Sequence, residues 1–589
     1  MTRIPRTPLA VLLAAALLLT GCGGGDDDSS TPGASSAPGD KPSGEERVVY
    51  RYGIDNEAEG PAPAVEGAVP GGTVRVYNVV DFGHLDPARI YSNYEQATSL
   101  LMTRALTGYR QSGSDVSLVG DLATNTGVTK DGGKTWTYTL RDGVTWEDGS
   151  PITSADVKYG LERSFEKTYV EGPTYLQTWF ADSQDFRKYY AGPYGGKSLD
   201  AIRTPDAKTI VLKFPKAQPD VPFALAMPAG AAVKKSADTR AKYDLDPFAS
   251  GPYKIEAHKV DKSMTLVPNT NWKPESDPIR TAYVDKFEFA FGELPLATNQ
   301  RLIAANGEDQ AGMTSVDQVS PEVLAQVVST PDLLQRTVSG YTPFSTYQAI
   351  NTKRITDLRV RKALMYAYPR QQIRQILGGP NNGDFATTIG SPTLVGHEES
   401  DLFNVPPAGD PEKARALLTE AGKLGQKIVY AFGALPRGEQ IAVAVVDGLE
   451  KAGFTVVKKA IDPKNFSEQV SDPDNKFDLY YGGWGADWPS GSTVYPVLFD
   501  GRKISTGSYN TALLNDPAIN SEIDEISLIA DPVEAGKRWA ALDRKILEQV
   551  PVIPDLYDRA QQLYGPKIGG AELDIVLGII SMNGIFVRP

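Results

Sequence analysis

The chain has 589 residues, too many for one ordinary hydrophobic core, so we expect two or three lobes. Hydrophobic residues make up 41% and charged residues 23%, and the net charge of −13, with no basic cluster beyond the first residues, argues against a nucleic-acid partner. A single cysteine excludes an intrachain disulfide and a thiolate metal cluster, and the three histidines, His84, His258 and His397, are too scattered to indicate a metal site.

The N-terminus has the pattern of a secretory signal. Arg3 and Arg6 precede an apolar run from Leu9 to Leu19, about half the length that a bilayer span needs. The run leads into Leu-Thr-Gly-Cys, which resembles the lipobox of bacterial lipoproteins, where the cysteine is lipidated and becomes the mature N-terminus. We predict a signal peptide over residues 1–21 and lipid attachment at Cys22. The alternative is an ordinary signal with a stray cysteine.

Residues 22–70 are predicted to form a disordered tether. They are mostly Gly, Ser, Pro, Asp and Glu, and they carry too little apolar surface to offset the entropy of ordering the chain. Such a tether would hold a folded body near a membrane surface without fixing its orientation.

The folded body is predicted to begin at residue 71 with a strand from Val74 to Val80, followed by a helical stretch from Tyr94 to Leu106. Apolar and threonine residues alternate over 136–140, which indicates a further strand. Thr153 and Asp156 have the spacing of a helix capping box. The nearby Gly-Lys-Thr lacks the first glycine of a phosphate-binding loop, so we interpret it as a turn.

In the second half, Asp410 followed by proline indicates the start of a short helix. Residues 427–458 are typical of a strand, a helix and a second strand. Two further helices are predicted near 516–530 and 532–549.

The stretch 477–490, Phe-Asp-Leu-Tyr-Tyr-Gly-Gly-Trp-Gly-Ala-Asp-Trp-Pro-Ser, combines a strand pattern with three glycines. Glycines allow another backbone to approach closely, because no Cβ holds it away. Asp487 lies between two indoles, a combination suited to an ammonium group. The stretch favours a site for the amino end of an extended peptide, although a buried turn with a capping aspartate fits the local chemistry equally well.

Catalytic motifs are missing from the sequence. His397-Glu398-Glu399 lacks the second histidine of a zinc peptidase, and no Gly-x-Ser-x-Gly elbow occurs. Paired carboxylates of a glycosidase stay open as an alternative, because 73 acidic residues make close pairs inevitable. We predict that the protein is not an enzyme and uses no cofactor.

Several motifs together resemble bacterial extracellular solute-binding protein family 5, the receptors of peptide-type ABC importers. The resemblance extends in family order from residue 71 to 589, and the block around Trp146 is its most specific part. One departure is Pro369, where the family usually has aspartate. The motifs, with their first residues, are LDP at 85, LTGY at 106, TWTYTLRDGVTWEDGSPITSADVKY at 135, SGPYKI at 250, INTK at 350, DLRVRKALMYAYPR at 357, DPEKARALLTEAG at 410 and VPVIPDLY at 550.

The resemblance implies a two-lobed, mixed α/β fold of the type II periplasmic-binding-protein kind with an inserted α+β domain. Lobe 1 would comprise residues 71–111, 204–305 and 551–589. The inserted domain would be 112–203 and lobe 2 would be 306–550. Ligand would lie in the cleft, and closure would present a surface to a membrane permease. A ligand must touch both lobes to favour the closed form. The protein would be a lipid-anchored monomer at the outer surface of the cell membrane.

The resemblance also implies site residues. Asp487 matches the family's acidic partner of a peptide α-ammonium, and Gly483, Trp484 and Gly485 match the strand that pairs with peptide backbone. Tyr175 resembles an aromatic residue that closes over the ligand. Tyr347 and Asn351 lie before the 357–370 helix and would line the cleft. For Tyr175, Tyr347 and Asn351, a role in packing is an equal alternative.

Two questions about the ligand stay open in the sequence. Trp484 and Trp488 would also suit an oligosaccharide, and some members of the family bind sugars, nickel or other solutes. Tyr481 stands where oligopeptide receptors of the family have a basic residue that meets the carboxylate of a short ligand. We therefore expect no strong carboxylate anchor in this strand. The ligand would be longer than three residues, or an arginine elsewhere, such as Arg437, would hold its far end.

Overall fold

The computed structural model describes residues 50–169 and 171–589. The predicted signal peptide, Cys22 and the tether up to residue 49 lie outside the described residues. The predicted tether extends too far, because residues 51–55 form a strand that pairs in parallel with residues 115–119. Tyr50 and Tyr52 provide the apolar surface that the composition of the segment conceals, since both pack against a cluster around Val116.

Twenty-one strands lie in the described residues. In chain order they are β1 Arg51–Asp55, β2 Thr73–Asn78, β3 Thr107–Ser112, β4 Asp115–Gly120, β5 Thr135–Thr139, β6 Ile202–Arg203, β7 Thr209–Lys213, β8 Tyr253–Lys259, β9 Ser263–Pro268, β10 Lys286–Phe291, β11 Gly312–Thr314, β12 Thr337–Ile350, β13 Gly383–Phe385, β14 Lys427–Gly433, β15 Thr455–Ile461, β16 Leu479–Gly485, β17 Val552–Leu563, β18 Ile568–Gly569, β19 Leu573–Asp574, β20 Ile579–Ile580 and β21 Phe586–Val587.

Sixteen α-helices accompany these strands in the same part of the chain. They are α1 Asn93–Met102, α2 Ser154–Arg163, α3 Tyr175–Ala181, α4 Phe186–Tyr189, α5 Val221–Ala224, α6 Pro295–Ala304, α7 Pro321–Ser329, α8 Pro331–Gln335, α9 Leu358–Ala367, α10 Arg370–Leu377, α11 Pro411–Glu420, α12 Pro436–Lys451, α13 Pro463–Val470, α14 Tyr495–Leu498, α15 Pro517–Ile526 and α16 Pro532–Glu548.

Aspartate followed by proline begins four of these helices: α11, α13, α15 and α16. In each the aspartate carboxylate accepts a hydrogen bond from a backbone N–H of the first turn, and the proline occupies a position whose own N–H would have no partner. The capping box at Thr153 and Asp156 also forms as predicted. Local sequence therefore specifies these helix starts.

The largest sheet has six strands in the order β13-β17-β12-β16-β14-β15. β16 pairs antiparallel with β12 along its whole length, and β14 pairs in parallel with both β15 and β16. A five-stranded sheet has the order β11-β2-β10-β9-β8, and two three-stranded sheets have the orders β1-β4-β3 and β5-β7-β6.

Two predicted domain boundaries differ from these strand pairings. The boundary at 551 places β17 in lobe 1, but β17 pairs with β12 in the six-stranded sheet. β7 pairs with β5, so the sheet of the inserted domain continues past residue 203. The boundary after 203 separates β6 from β7, which pair in one sheet, and residue patterns alone do not reveal which sheet a buried strand joins.

Candidate ligand-binding site

The candidate site begins with an open strand edge on β16. The strand pairs with β12 from Leu479 to Gly485, but with β14 only at Leu479 and Tyr480. From Tyr481 to Gly485 the edge facing away from β12 therefore has no strand partner among the described residues. Such an edge offers backbone N–H and C=O groups to an extended ligand.

The three glycines of β16 differ in why glycine occupies the position. A Cβ on Gly482 would lie 2.5 Å from the ring of Tyr347, and one on Gly485 would collide with the ring of Phe344. A Cβ on Gly483 would come no closer than 3.4 Å to any atom. Packing on β12 requires the outer two glycines, whereas a Cβ on Gly483 would make only ordinary contacts.

Asp487 follows the strand and is held between aromatic residues from distant parts of the chain. Its carboxylate accepts a hydrogen bond from the Tyr91 hydroxyl at 3.2 Å and another, short one from the Tyr175 hydroxyl. Burial raises the pKa of Asp487 to about 6, against the lowering effect of the two phenols. No lysine, arginine or histidine of the described chain forms an ion pair with it.

Thr493 fixes the loop that carries these groups. Its backbone carbonyl accepts a hydrogen bond from the indole Nε1 of Trp484 at 2.7 Å, and its hydroxyl accepts one from the backbone N–H of Asp487 at 3.2 Å. The ring of Trp484 also contacts Tyr509, with 4.6 Å between centroids. The orientation of the loop is thus set before any ligand binds.

Trp488 is only 1% exposed and joins the two sides of the site. It packs in the hydrophobic cluster built around β5 and β7, with ring centroids 4.7 Å from Tyr175 and 6.3 Å from Trp179. Its ring faces are occupied by protein, which removes one of the two stacking surfaces that an oligosaccharide would use.

A cavity of about 910 Å³ opens beside this loop. Its lining comes from residues 172–184, residues 218–220 and the segment 484–527, together with Tyr91. Tyr175, Trp484 and Trp488 line it as predicted residues of the site, and Asp487 lies directly behind Tyr91 and Tyr175. The volume is that of an ordinary small-ligand pocket.

The expectation that Tyr347 and Asn351 line the cleft is not supported. Tyr347 is 4% exposed, and its ring covers Gly482. Asn351 is 1% exposed, and its amide donates to the carbonyl of Phe477 at 3.1 Å. Both residues are packing elements of the six-stranded sheet. Tyr481, by contrast, is 48% exposed beside the open edge.

Sequence reasoning missed Tyr91, Tyr509, Asp220 and Thr493. Tyr91 reaches Asp487 across 396 positions of sequence, and no local pattern marks it. Thr493 could have been suspected from the sequence, because it belongs to the polar loop that follows Asp487, where its hydroxyl accepts a hydrogen bond from the Asp487 backbone.

No group of three or more His, Cys, Asp or Glu side chains in the described residues is placed to share a metal ion. Within residues 50–169 and 171–589, no helix combines the length and apolar character of a membrane span.

Comparison with known proteins identifies the family. The model of the bacterial extracellular solute-binding proteins, family 5 Middle, matches residues 117–506. The periplasmic oligopeptide-binding protein OppA of Salmonella typhimurium is 24% identical over 461 residues, covering 74% of this chain and 79% of the relative. The glutathione-binding protein GsiB of Salmonella paratyphi A is 22% identical over 513 residues, covering 83% of this chain and 90% of the relative.

A solved structure, the clavulanic acid biosynthesis oligopeptide binding protein 2, matches with a TM-score of 0.82 at 30% identity. The match covers 90% of this chain and 99% of that chain. The predicted two-lobed α/β fold of type II periplasmic binding proteins, with its inserted domain, is thereby confirmed. The chain belongs to the bacterial extracellular solute-binding proteins of family 5, which are binding proteins of transporters rather than enzymes.

Proposed function

We propose that this protein is the lipid-anchored substrate-binding component of an ABC importer and that it captures peptides by their amino end. The observation that carries the proposal is Asp487, a desolvated carboxylate with two phenol donors and no cationic partner in the described chain. A peptide α-ammonium supplies the missing positive charge.

The open edge of β16 supports an extended ligand. Residues 481–485 lie next to Asp487 and offer backbone groups on one side. Hydrogen bonds between backbones do not depend on side-chain identity, so this mode of binding tolerates many peptide sequences. Gly483 leaves room for the ligand backbone, and Trp484 flanks it.

The far end of the peptide has no charged anchor in β16. Tyr481 provides a phenol, which donates one hydrogen bond but offers neither charge nor a bidentate fork. Arg437 is exposed at the start of α12 and does not line the cavity. We propose that the ligand is longer than three residues, with its carboxylate directed toward solvent. The alternative is a clamp by another arginine, and Arg502, which lines the cavity, is already held by Asp500 and Asp524.

Calorimetry with a free-amine pentapeptide and its N-acetylated form tests the proposal. Acetylation, or the substitution Asp487→Asn, should cost about 3–5 kcal/mol, because a buried charge loses its partner. That loss corresponds to roughly 200-fold or more in affinity. Asp474→Asn is a matched control, since this carboxylate is 83% exposed in its surface pair with Lys353.

Equal binding of the free and acetylated peptides would remove the role of Asp487. Native mass spectrometry of the purified protein extends the test, and a co-purified sugar in place of a peptide would contradict the proposed substrate class.

Anchoring is proposed through Cys22, with delivery of the ligand to membrane permease subunits by a monomeric receptor. A Cys22→Ser variant should leave the membrane fraction and appear in the soluble fraction on cell fractionation. Unchanged retention in the membrane would contradict the anchor.

A further inference from the structure

The cavity beside Asp487 has aromatic walls. The residues that form them are Tyr91, Tyr175, Trp179, Trp484 and Tyr509, and the almost completely buried Trp488 borders the same cavity. Aromatic faces attract cations as well as apolar groups, and the attraction grows when water is excluded. Aromatic walls therefore suit both a cationic and an apolar ligand group. The charged residues of the cavity distinguish these two possibilities.

Four carboxylates line the cavity, and three of them are already compensated. Asp500 and Asp524 both accept hydrogen bonds from the Arg502 guanidinium, at distances from 2.6 to 3.0 Å. Asp182 pairs with Lys216 at 2.9 Å. Lys503 directs its ammonium to the carbonyl of Pro496 at 3.2 Å and lies 4.0 Å from Asp500.

The fourth carboxylate, Asp220, forms no ion pair with any residue of the described chain. It precedes α5 and lies against Ser492 and Trp488 on the loop that follows β16, whose side chains are its hydrogen-bonding neighbours. Burial raises its pKa against the lowering effect of these two groups. Asp220 thus resembles Asp487, because it is a carboxylate with polar neighbours and no cation of the described chain beside it.

Asp220 and Asp487 flank the same side chain. Asp487 immediately precedes Trp488, and Trp488 faces Asp220. Tyr175 donates to Asp487 and contacts the Trp488 ring, so the two carboxylates share one aromatic partition. A peptide with its α-ammonium on Asp487 would have its first residue beside this partition.

We propose that the cavity selects peptides whose first residue is lysine or arginine, with the α-ammonium bound by Asp487 and the side-chain cation bound by Asp220. This inference rests on the proposed function of Asp487. The four-carbon stem of lysine, or the stem of arginine, packs along the aromatic walls, while its charged end reaches the carboxylate. A neutral first residue leaves the desolvated Asp220 without a cationic partner, which is the source of the selectivity.

The test compares two pentapeptides, Lys-Ala-Ala-Ala-Ala and its analogue with norleucine in place of lysine, by calorimetry at pH 7.5. Norleucine keeps the stem and removes only the charge. We expect the lysine peptide to bind at least tenfold more tightly to the wild-type protein. Asp220→Asn should abolish this preference, because the lysine peptide loses its partner and the norleucine peptide no longer leaves a desolvated carboxylate behind. Asp182→Asn, which alters a compensated carboxylate of the same cavity, should preserve it.

Equal or tighter binding of the norleucine peptide to the wild-type protein would overturn the inference. An equal loss of affinity for both peptides in Asp220→Asn would also overturn it, since that result assigns Asp220 a purely structural role. In either case the proposed function survives if acetylation of the amino end still abolishes binding. If acetylated peptides bind as tightly as free ones, the proposed function itself fails.

Discussion

A pair of carboxylates in the protein core and the carboxylate of the candidate site differ in the charge of their neighbours. Asp121 and Asp277 are completely buried together with Arg104 and Arg280. Arg104 donates to Asp121 at 2.7 Å, and Arg280 donates to Asp121 at 2.8 Å and to Asp277 at 3.2 Å. Asp487 has two phenols instead and no cation of the described chain.

The pKa values show the difference. Burial would raise the pKa of Asp277, but Arg104 and Arg280 outweigh it and lower the value to about 2. Burial raises the pKa of Asp487 to about 6, because phenol hydrogen bonds only partly oppose it. In the cluster of Arg104 and Arg280 the protein therefore balances the buried negative charge with positive charge. Asp487 has no such cation among the described residues.

The largest expected effect comes from breaking the balanced cluster. Arg104→Met leaves two buried carboxylates with one arginine and should lower the free energy of unfolding by about 3–5 kcal/mol. Urea denaturation measures this loss. Lys451→Met is the control, because its pair with Asp447 is exposed and should contribute less than about 1 kcal/mol. Equal effects of the two substitutions would contradict the comparison.

Peptide affinity should depend on pH through Asp487. An ammonium group binds the ionised carboxylate, so protonation below the pKa of about 6 competes with the ligand. We expect affinity to be about tenfold weaker at pH 5 than at pH 8, a change of about 1.4 kcal/mol. Calorimetry at the two pH values measures it. The residual binding of Asp487→Asn should be constant over the same range, and a matching decline in this variant would assign the pH dependence to another group.

Removing one phenol should have a smaller effect. Tyr175→Phe deletes a donor to Asp487, which should raise the pKa of that carboxyl further and weaken peptide binding by about 1 kcal/mol, or about fivefold. The ring remains, so its contact with Trp488 is kept. A titration of affinity against pH should show the midpoint moving upward. An unchanged midpoint would mean that the phenol does not act on the carboxylate.

The smallest effect should be that of Asp487→Asn on the free energy of unfolding. Asp487→Asn in ligand-free protein should leave the free energy of unfolding unchanged or raise it by about 1 kcal/mol, since an uncompensated charge is removed.

The pH dependence of stability should change as well. The raised pKa of Asp487 means that the folded protein binds the proton more tightly than the unfolded chain does. Wild-type stability should therefore fall as pH rises from about 4 to 6, and the variant should lack this decline. The contribution of Asp277 to stability depends on pH in the opposite direction. It is present above about pH 4 and is lost as pH falls through about 2. A loss of several kcal/mol in Asp487→Asn would place this residue with the structural carboxylates.

Local sequence predicted the features whose causes are local. The helix starts at Asp410 and Thr153 depend on a hydrogen bond within three residues, and both form. The strand and glycines of β16 also follow from their own residues. The family resemblance supplied Asp487, and the structure places it in surroundings suited to a cation.

Other features depend on contacts that no stretch of sequence contains. Tyr347 and Trp484 look equally aromatic in the sequence and lie on the same face of the sheet, but Tyr347 is buried in the core whereas Trp484 reaches the cavity. Asp220 is one acidic residue among 73, and only the fold brings it against Trp488. The tether boundary was misplaced for a similar reason, because the partner of β1 lies some sixty residues along the chain.

Three of the seven tryptophans, Trp179, Trp484 and Trp488, surround the same cavity, and one of them bridges two parts of the molecule. Indole emission changes in wavelength and intensity with the polarity and charge of its surroundings. The protein therefore carries an intrinsic optical reporter at the place where a ligand would enter. Its fluorescence should follow occupancy of the cavity in real time, without a label and at concentrations far below those that calorimetry requires.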